Sequence, residues 1–501
     1  FEKYKEAVPV YQEAIRYAQI NKNGSGEGAM NYNLGLVNYM IDDAKASRHH
    51  FQKSAEVYLA AADTANAVNS YRQILYRQEF LQVGDGYADL IEKAFELGNR
   101  MSDKTQVLRL VETCLQPFKR TEEYSSMLYF YNKKLLIFGT NYPDSSYNTY
   151  IKIGDVYEKQ KKYDDAIALY ESMLEALKGS SALDKQSNLY EYLGSVYQTG
   201  KEDFKKADQY YQQAADGFRK SGNKPREASA LWFKGYNQSV LLKDRLNGIA
   251  TYQKALGLFT LEKDTTSMAT MMSNIALTYA DLKDSLKSYQ TFQQAINLTK
   301  KYSDPYYHIG ILDKAIDNFD TFGSGKRKLE MAIQRYQFTR TIKDDEKSAA
   351  TAQAVAALLE ARKHHSEADK YHDLAIQHLL SIDEPEQLAD AYWKKATNLG
   401  DLATRDASTA KALIALYEKP LKYYQDEEDT TNTRTLLCNI ALMYRNLGDS
   451  LKAYDIYDQA LILTRPQADE VNFNVVVEKA AAMAKDFGHP GRQIYYLTEK
   501  V

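Results

Sequence analysis

Histidines gather once in this chain, at helical spacing. His365, Asp369 and His372 stand at i, i+4 and i+7 within the stretch His364–His378. A helix would present them on one face, where imidazole and carboxylate donors suit a transition metal or a metal-bound water. No cysteine or fourth ligand accompanies them, and His372 falls where the periodicity traced below asks for a large packed side chain. A metal or hydrolytic site is therefore the remote alternative to simple packing. Gly323, Ser324, Gly325 and Lys326 look like the start of a phosphate-cradling loop. Arg327 follows, however, where Ser or Thr is required, and helical patterns flank the segment. It predicts an inter-helix turn with a basic patch over Lys326–Lys328. Carboxylates at Asp164 and Asp165, and over Asp426–Asp429, read as solvated turns. With no Ser–His–Asp or Cys–His arrangement, the sequence predicts neither catalysis nor a cofactor.

The scaffold that must carry these residues is helical. The 501 residues are 44% hydrophobic and 26% charged, with only 9 Pro and 24 Gly to interrupt helices. Single cores stop growing at roughly 250–300 residues, so this length requires several domains or a repeat array. Lys plus Arg total 64 and Asp plus Glu 67, and a net charge of -3 leaves no basic field to gather nucleic acid. No apolar run reaches the roughly eighteen residues of a membrane span. Cys114 and Cys438 lie far apart and read as small buried residues. The chain starts at Phe1 inside the pattern Ala7, Tyr11, Ala14. Elsewhere that pattern belongs to a second helix, so the chain reads as a fragment lacking its native start. Cytoplasm and periplasm both stay open, as does the oligomeric state.

Internal repetition decides the architecture. Asn274–Lys300 and Asn439–Arg465 agree at 15 of 27 positions, 165 residues apart. Four periods of about 41 residues give that offset. Ile153, Gly154 and Tyr157 precede Ala166, Tyr170 and Met173, and Leu193, Gly194 and Tyr197 precede Ala207, Tyr211 and Ala214. Large residues then recur at Tyr11, Phe51, Ile91, Tyr131, Tyr170, Tyr211, Tyr252, Phe292, Ile333, His372, Tyr417 and Tyr457. Small residues let two helices approach, and the large one fills the groove beside the contact. Each pair keeps an apolar edge that only another pair can cover. Asp284 and Asp449 supply N-caps where second helices should begin. Segments such as Asn21–Gly28, and an insertion around Asp401–Ser408, mark breaks.

These motifs resemble the tetratricopeptide repeat (TPR) superfamily, in its long-repeat arrays typified by kinesin light chains and bacterial sensor proteins. The resemblance implies an all-α, right-handed superhelical solenoid of about twelve antiparallel helix hairpins. A single array over 1–501 is expected, with degenerate units around 66–140, 305–342 and 386–428 and a terminal partial or capping unit at 469–501. In that family the first helix of each hairpin lines a concave groove, through positions two before the small residue. Here those are Asn33, Lys152, Tyr192, Phe233, Asn274, Ala354, Lys394 and Asn439. An Asn amide both donates and accepts, which suits it to the backbone of an extended peptide. A Lys and Asn clamp for a C-terminal carboxylate does not assemble over consecutive repeats. The expected function is binding of a protein or peptide, as the sensor or partner-binding region of a bacterial signalling protein. The alternative is a scaffold of the kinesin-light-chain kind.

Overall fold

The computed structural model describes residues 2–76, 87–100, 105–138, 143–321, 324–402, 406–464 and 470–499. All regular structure among them is helical, in two compact units, Phe1–Ala230 and Leu231–Val501. The N-terminal unit holds α1 (Glu2–Ile20), α2 (Gly24–Met40), α3 (Ala44–Ala60), α4 (Thr64–Tyr76), α5 (Tyr87–Asn99), α6 (Thr105–Thr121), α7 (Tyr124–Phe138), α8 (Pro143–Lys159), α9 (Tyr163–Ala176), α10 (Leu183–Thr199) and α11 (Phe204–Ser221). The unit boundary falls inside α12 (Lys224–Tyr236).

The C-terminal unit continues through a π-helical turn, Asn237–Leu241, to α13 (Arg245–Glu262), α14 (Thr265–Asp281), α15 (Ser285–Tyr302), α16 (Pro305–Thr321), α17 (Gly325–Thr341), α18 (Asp345–Glu360) and α19 (His365–Leu379). It ends with α20 (Pro385–Leu402), α21 (Ala407–Asp426), α22 (Thr430–Asn446), α23 (Ser450–Thr464), α24 (Glu470–Asp486) and α25 (Pro490–Thr498).

Turns of three or four residues join α2 to α3, α10 to α11, α14 to α15, α18 to α19 and α22 to α23, and each of these packs as a pair. One device recurs at these turns. A residue in the left-handed region ends the first helix, and an Asp follows it to start the next at every one of these turns except α18 to α19, where His364 stands in its place. Lys283 (φ 63) precedes Asp284, whose side chain accepts from Lys287 N at 3.0 Å; Gly448 (φ 76) precedes Asp449, which accepts from Lys452 N at 3.1 Å. The carboxylate thereby satisfies an N–H that the new helix leaves open. Both N-caps stand where the sequence places them.

Sequence-expected linkers are shorter than their composition implies. Asn23 accepts from Gly26 N at 2.9 Å, so Gly24 to Gly28 open α2 instead of forming a loop. Asp164 and Asp165 likewise belong to the first helical turn of α9, where negative charge complements the helix dipole. Ser324 stands at the N-cap position of α17, and Gly323 lies outside the described residues.

Small residues set the spacing within pairs. A Cβ built on Gly154 would lie 2.2 Å from the Tyr170 hydroxyl, and one on Gly194 would lie 2.8 Å from the Tyr211 ring. Of the periodic large residues, Phe51, Ile91, Tyr131, Tyr170, Tyr211, Tyr252, Phe292, His372, Tyr417 and Tyr457 are buried. Tyr11 is half-buried. Ile333 departs from expectation: it is also half-buried, and Met331, Ala332, Tyr336 and Thr339 are the enclosed residues of α17. With no aromatic at the ruler position, the larger Tyr336 one turn on fills the groove. Cys114 and Cys438 are buried and unpaired, and burial pushes the Cys114 thiol up to about 12.

Polar groups bridge like helices of successive pairs. Tyr289 donates to Glu330 at 2.6 Å, Tyr307 to the Thr266 carbonyl at 2.8 Å, and Lys133 meets Glu92 at 3.0 Å. Each link spans 41 positions, which ties the stacking register to one repeat.

His308 of α16 is 2% exposed, with its ring 4.2 Å from that of Phe338 and Nδ1 2.7 Å from the Thr299 hydroxyl. Burial, reinforced by Lys300, lowers its pKa from 6.5 to about 4. The folded chain therefore keeps the ring neutral over a range in which the unfolded chain binds a proton. The stability His308 allows is full above pH 6.5 and is lost as pH falls toward 4. The expected result is a steeper fall of the denaturation midpoint across that window in the wild type than in His308→Gln; parallel profiles would contradict it.

Candidate peptide-binding groove

The C-terminal unit contains a cleft of about 630 Å3 between the end of α12, the π-helical turn, α14 and α16. Asn274 lies in it, and its side-chain amide has no hydrogen-bond partner among the described residues, although its carbonyl accepts from Thr278 at 2.7 Å. Tyr236 (42% exposed), Val240 (46%) and Leu277 (38%) give the cleft apolar walls. Lys314 on α16 is exposed and has no ion-pair partner among the described residues, whereas Asp281 is engaged by Arg245 at 3.4 Å. Beneath the walls, burial pushes the Tyr252 hydroxyl up to about 12, and Ser239 donates to it at 3.3 Å.

A second cleft, about 500 Å3, lies within the N-terminal unit between α8, α10 and the start of α12. Lys152 and Tyr192 both line it. Lys152 donates to Asp155 at 2.8 Å, and this hydrogen bond raises its pKa. Tyr192 stacks on Tyr170, with ring centroids 5.4 Å apart. Arg226 reaches in from α12 to Asn188 at 2.5 Å and Glu191 at 3.2 Å. Burial pushes the Glu191 carboxyl up while Arg226 opposes the shift. This cleft is polar, and its charges largely pair with one another.

The remaining sequence candidates are spread along other first helices. Phe233 is 38% exposed on α12 beside Trp232. Lys394 on α20 donates to Asp390 at 2.6 Å and to Gln353 at 3.2 Å. Asn33 on α2 and Asn439 on α22 are half-buried, and neither amide is hydrogen-bonded among the described residues. Ala354 is exposed on α18. Sequence reasoning passed over Tyr236, Leu277 and Arg226. The first two follow the small residues Gly235 and Ala276 directly, and Leu442 (37% exposed) follows Ala441 likewise; that position was the available signal.

The histidine cluster resolves into separate contacts. His365 Nδ1 lies 3.0 Å from Asn398, His372 Nε2 lies 2.7 Å from Glu360, and Asp369 is 3.7 Å from Lys395. Among the described residues no three His, Cys, Asp or Glu side chains are placed to hold a metal. No described helix is long and apolar enough to cross a membrane.

Tandem helix pairs, a small residue against a large one in each, and a surface lined by first helices define a helical-repeat interaction scaffold. Residues 145–220, from α8 to α11, match the tetratricopeptide repeat family. Those four helices are tetratricopeptide repeats. No curated protein sequence matches the chain. Solved structures similar to it include BtubC (BKLC) from P. vanneervenii, at 16% identity over 44% of this chain and 91% of that one, with a TM-score of 0.30. A Signal Transduction ATPase with Numerous Domains with a tetratricopeptide repeat sensor, from Pyrococcus horikoshii, is 13% identical over 75% of this chain and 55% of its own, with a TM-score of 0.36. A Rap protein complexed with Competence and Sporulation Factor is 14% identical over 67% and 97%, with a TM-score of 0.33. At such scores these likenesses add nothing to the case made by the helix pairs themselves.

Proposed function

We propose that this chain binds an extended peptide or protein segment along its first helices, as the sensor or partner-binding region of a signalling protein. The observation that carries the reading is the Asn274 amide, without a hydrogen-bond partner among the described residues and set in a cleft with apolar walls. A polar group that is half-buried without a partner is poised for a ligand's peptide groups, and pairing it contributes about 1 kcal/mol. Asn33 and Asn439 offer the same amide at the same register in other pairs.

The test uses peptides selected from a random library on the immobilised chain. Replacing Asn33, Asn274 and Asn439 together by Ala should weaken the selected peptides by about tenfold or more, given about 1 kcal/mol per lost hydrogen bond. The thermal midpoint should barely move, because none of the three amides has a hydrogen-bond partner among the described residues. A large drop in midpoint with affinity unchanged would make them structural. A scaffold of the kinesin-light-chain kind predicts a different outcome: whole-protein partners insensitive to substitutions in the cleft.

A further inference from the structure

In α1 the residues that mark a second helix stand open. Ala7, Tyr11 and Ala14 repeat the spacing of Ser47, Phe51 and Ser54 in α3, 40 positions on, and of Ala207, Tyr211 and Ala214 in α11, 200 positions on. In those two helices the marked residues are at most 2% exposed, because the first helix of the pair covers them. Ser47 and Ser54 donate to the carbonyls of Gly35 and Gly28 on α2, both at 2.8 Å, and His50 Nδ1 lies 3.1 Å from Asn31 Oδ1. On α11, Tyr210 stacks on Tyr197 of α10 with centroids 5.5 Å apart, Gly217 leaves room for Ser187, and Tyr211 fills the space beside Gly194.

α1 packs against α2, yet Ala7, Tyr11 and Ala14 remain only half-buried. Val10 and Tyr17, which correspond to Tyr210 and Gly217 of α11, are 67% and 60% exposed. Other second helices also carry aliphatic residues at these two places, Leu169 and Ile456 at the first, Leu298 and Leu463 at the second, and there they are half-buried. Two large apolar side chains thus stand two turns apart on the stripe that a first helix covers in α3 and α11.

We infer that the open face of α1 is a docking surface for one amphipathic helix of the first-helix kind, laid antiparallel to α1 by a binding partner and carrying a small residue opposite Tyr11. The helices that cover the equivalent faces define this occupant. A Cβ on Gly35 would come within 2.9 Å of the Phe51 ring and one on Gly194 within 2.8 Å of Tyr211, so bulk opposite Tyr11 is refused. The residue just before the small one is aliphatic and buried in α2, α8, α10, α14 and α22, as Leu34, Ile153, Leu193, Ile275 and Ile440. The face continues the interface on which the array is stacked, and Val10 and Tyr17 supply apolar area for a helix to remove from water. A second copy of α1 is a poor occupant, since it has no glycine and would bring bulk against bulk. This surface lies outside the groove, and it holds whether or not a peptide binds along the first helices.

The probe is the α10 segment itself, a fluorescein-labelled peptide amide of Leu183–Thr199, titrated with the whole chain and followed by anisotropy. It should bind, and hydrogen exchange should show new protection over α1. The same peptide with Gly194→Val should bind more weakly by about tenfold or more. Val10→Asp and Tyr17→Asp in the chain, both at exposed positions that α1 does not need in order to fold, should each weaken the original peptide to a similar degree. Absence of binding at about 1 mM peptide overturns the inference, as does binding indifferent to Gly194→Val or binding that survives both substitutions on α1. Self-association of the chain that Val10→Asp abolishes would overturn it as well, by showing that a second copy takes this face.

Discussion

Gly154→Val should destabilise the α8–α9 pair by about 3 kcal/mol, the upper end of overpacking costs in a close-packed core. Even a single Cβ at this position would approach the Tyr170 hydroxyl to 2.2 Å and Cζ to 2.4 Å. Tyr170 is fully buried and donates to Glu158 at 3.0 Å, so its ring cannot swing aside without giving up that bond. Glycine is a poor helix former, and replacing it recovers at most about 1 kcal/mol of propensity, too little to offset the clash. The mutation therefore tests whether close approach fixes the spacing of a pair. Urea denaturation together with hydrogen exchange over α8 and α9 measures it. Combining Gly154→Val with Tyr170→Leu should cost less than the two single losses summed, by about 1 kcal/mol or more, because the smaller side chain frees the space the valine needs. Strict additivity would show that the two residues do not meet in the way described.

The same contact explains how much of the fold could be read from the sequence. A small residue facing an aromatic is a steric requirement on residue type, so it is written in the chain wherever the pair is tight: Gly154 with Tyr170, Gly194 with Tyr211, Gly235 with Tyr252. The caps at Asp284 and Asp449 were legible for a similar reason, since few side chains can accept from an N–H three positions on. Where no aromatic marks the groove, only the period remains, and it misses by a residue. Ile333 was expected to fill the core, and Ala332 with Tyr336 does so.

The site was less legible than the fold. Counting two positions back from the small residue led to Lys152, Tyr192 and Asn274, which do line clefts, and also to Lys394, whose charge is already spent on Asp390. Whether a groove residue is free depends on partners that repeat spacing does not specify. The π-helical turn had no signature at all in residue type, because an i to i+5 hydrogen bond requires no particular side chain.

Tyr496→Ala should unfold α25 and leave the pairs before it intact. Tyr496 is fully enclosed, packs beside Tyr454 with ring centroids 6.2 Å apart, and donates to Asp458 at 2.9 Å. Removing such an aromatic costs about 3–5 kcal/mol. An interior pair could draw on neighbours at both faces, but α25 is nine residues long and packs chiefly against α24. Helices that short are marginal without tertiary support. In a stack whose stability is a sum over nearest neighbours, a loss of this size at one end is absorbed by fraying and not by global unfolding. The expected result is rapid hydrogen exchange over 490–499, unchanged protection of α22 and α23, and a main denaturation midpoint shifted little. A drop in the main midpoint with uniform loss of protection would mean that the C-terminal unit folds as one cooperative body, and the nearest-neighbour account of this array would have to be abandoned.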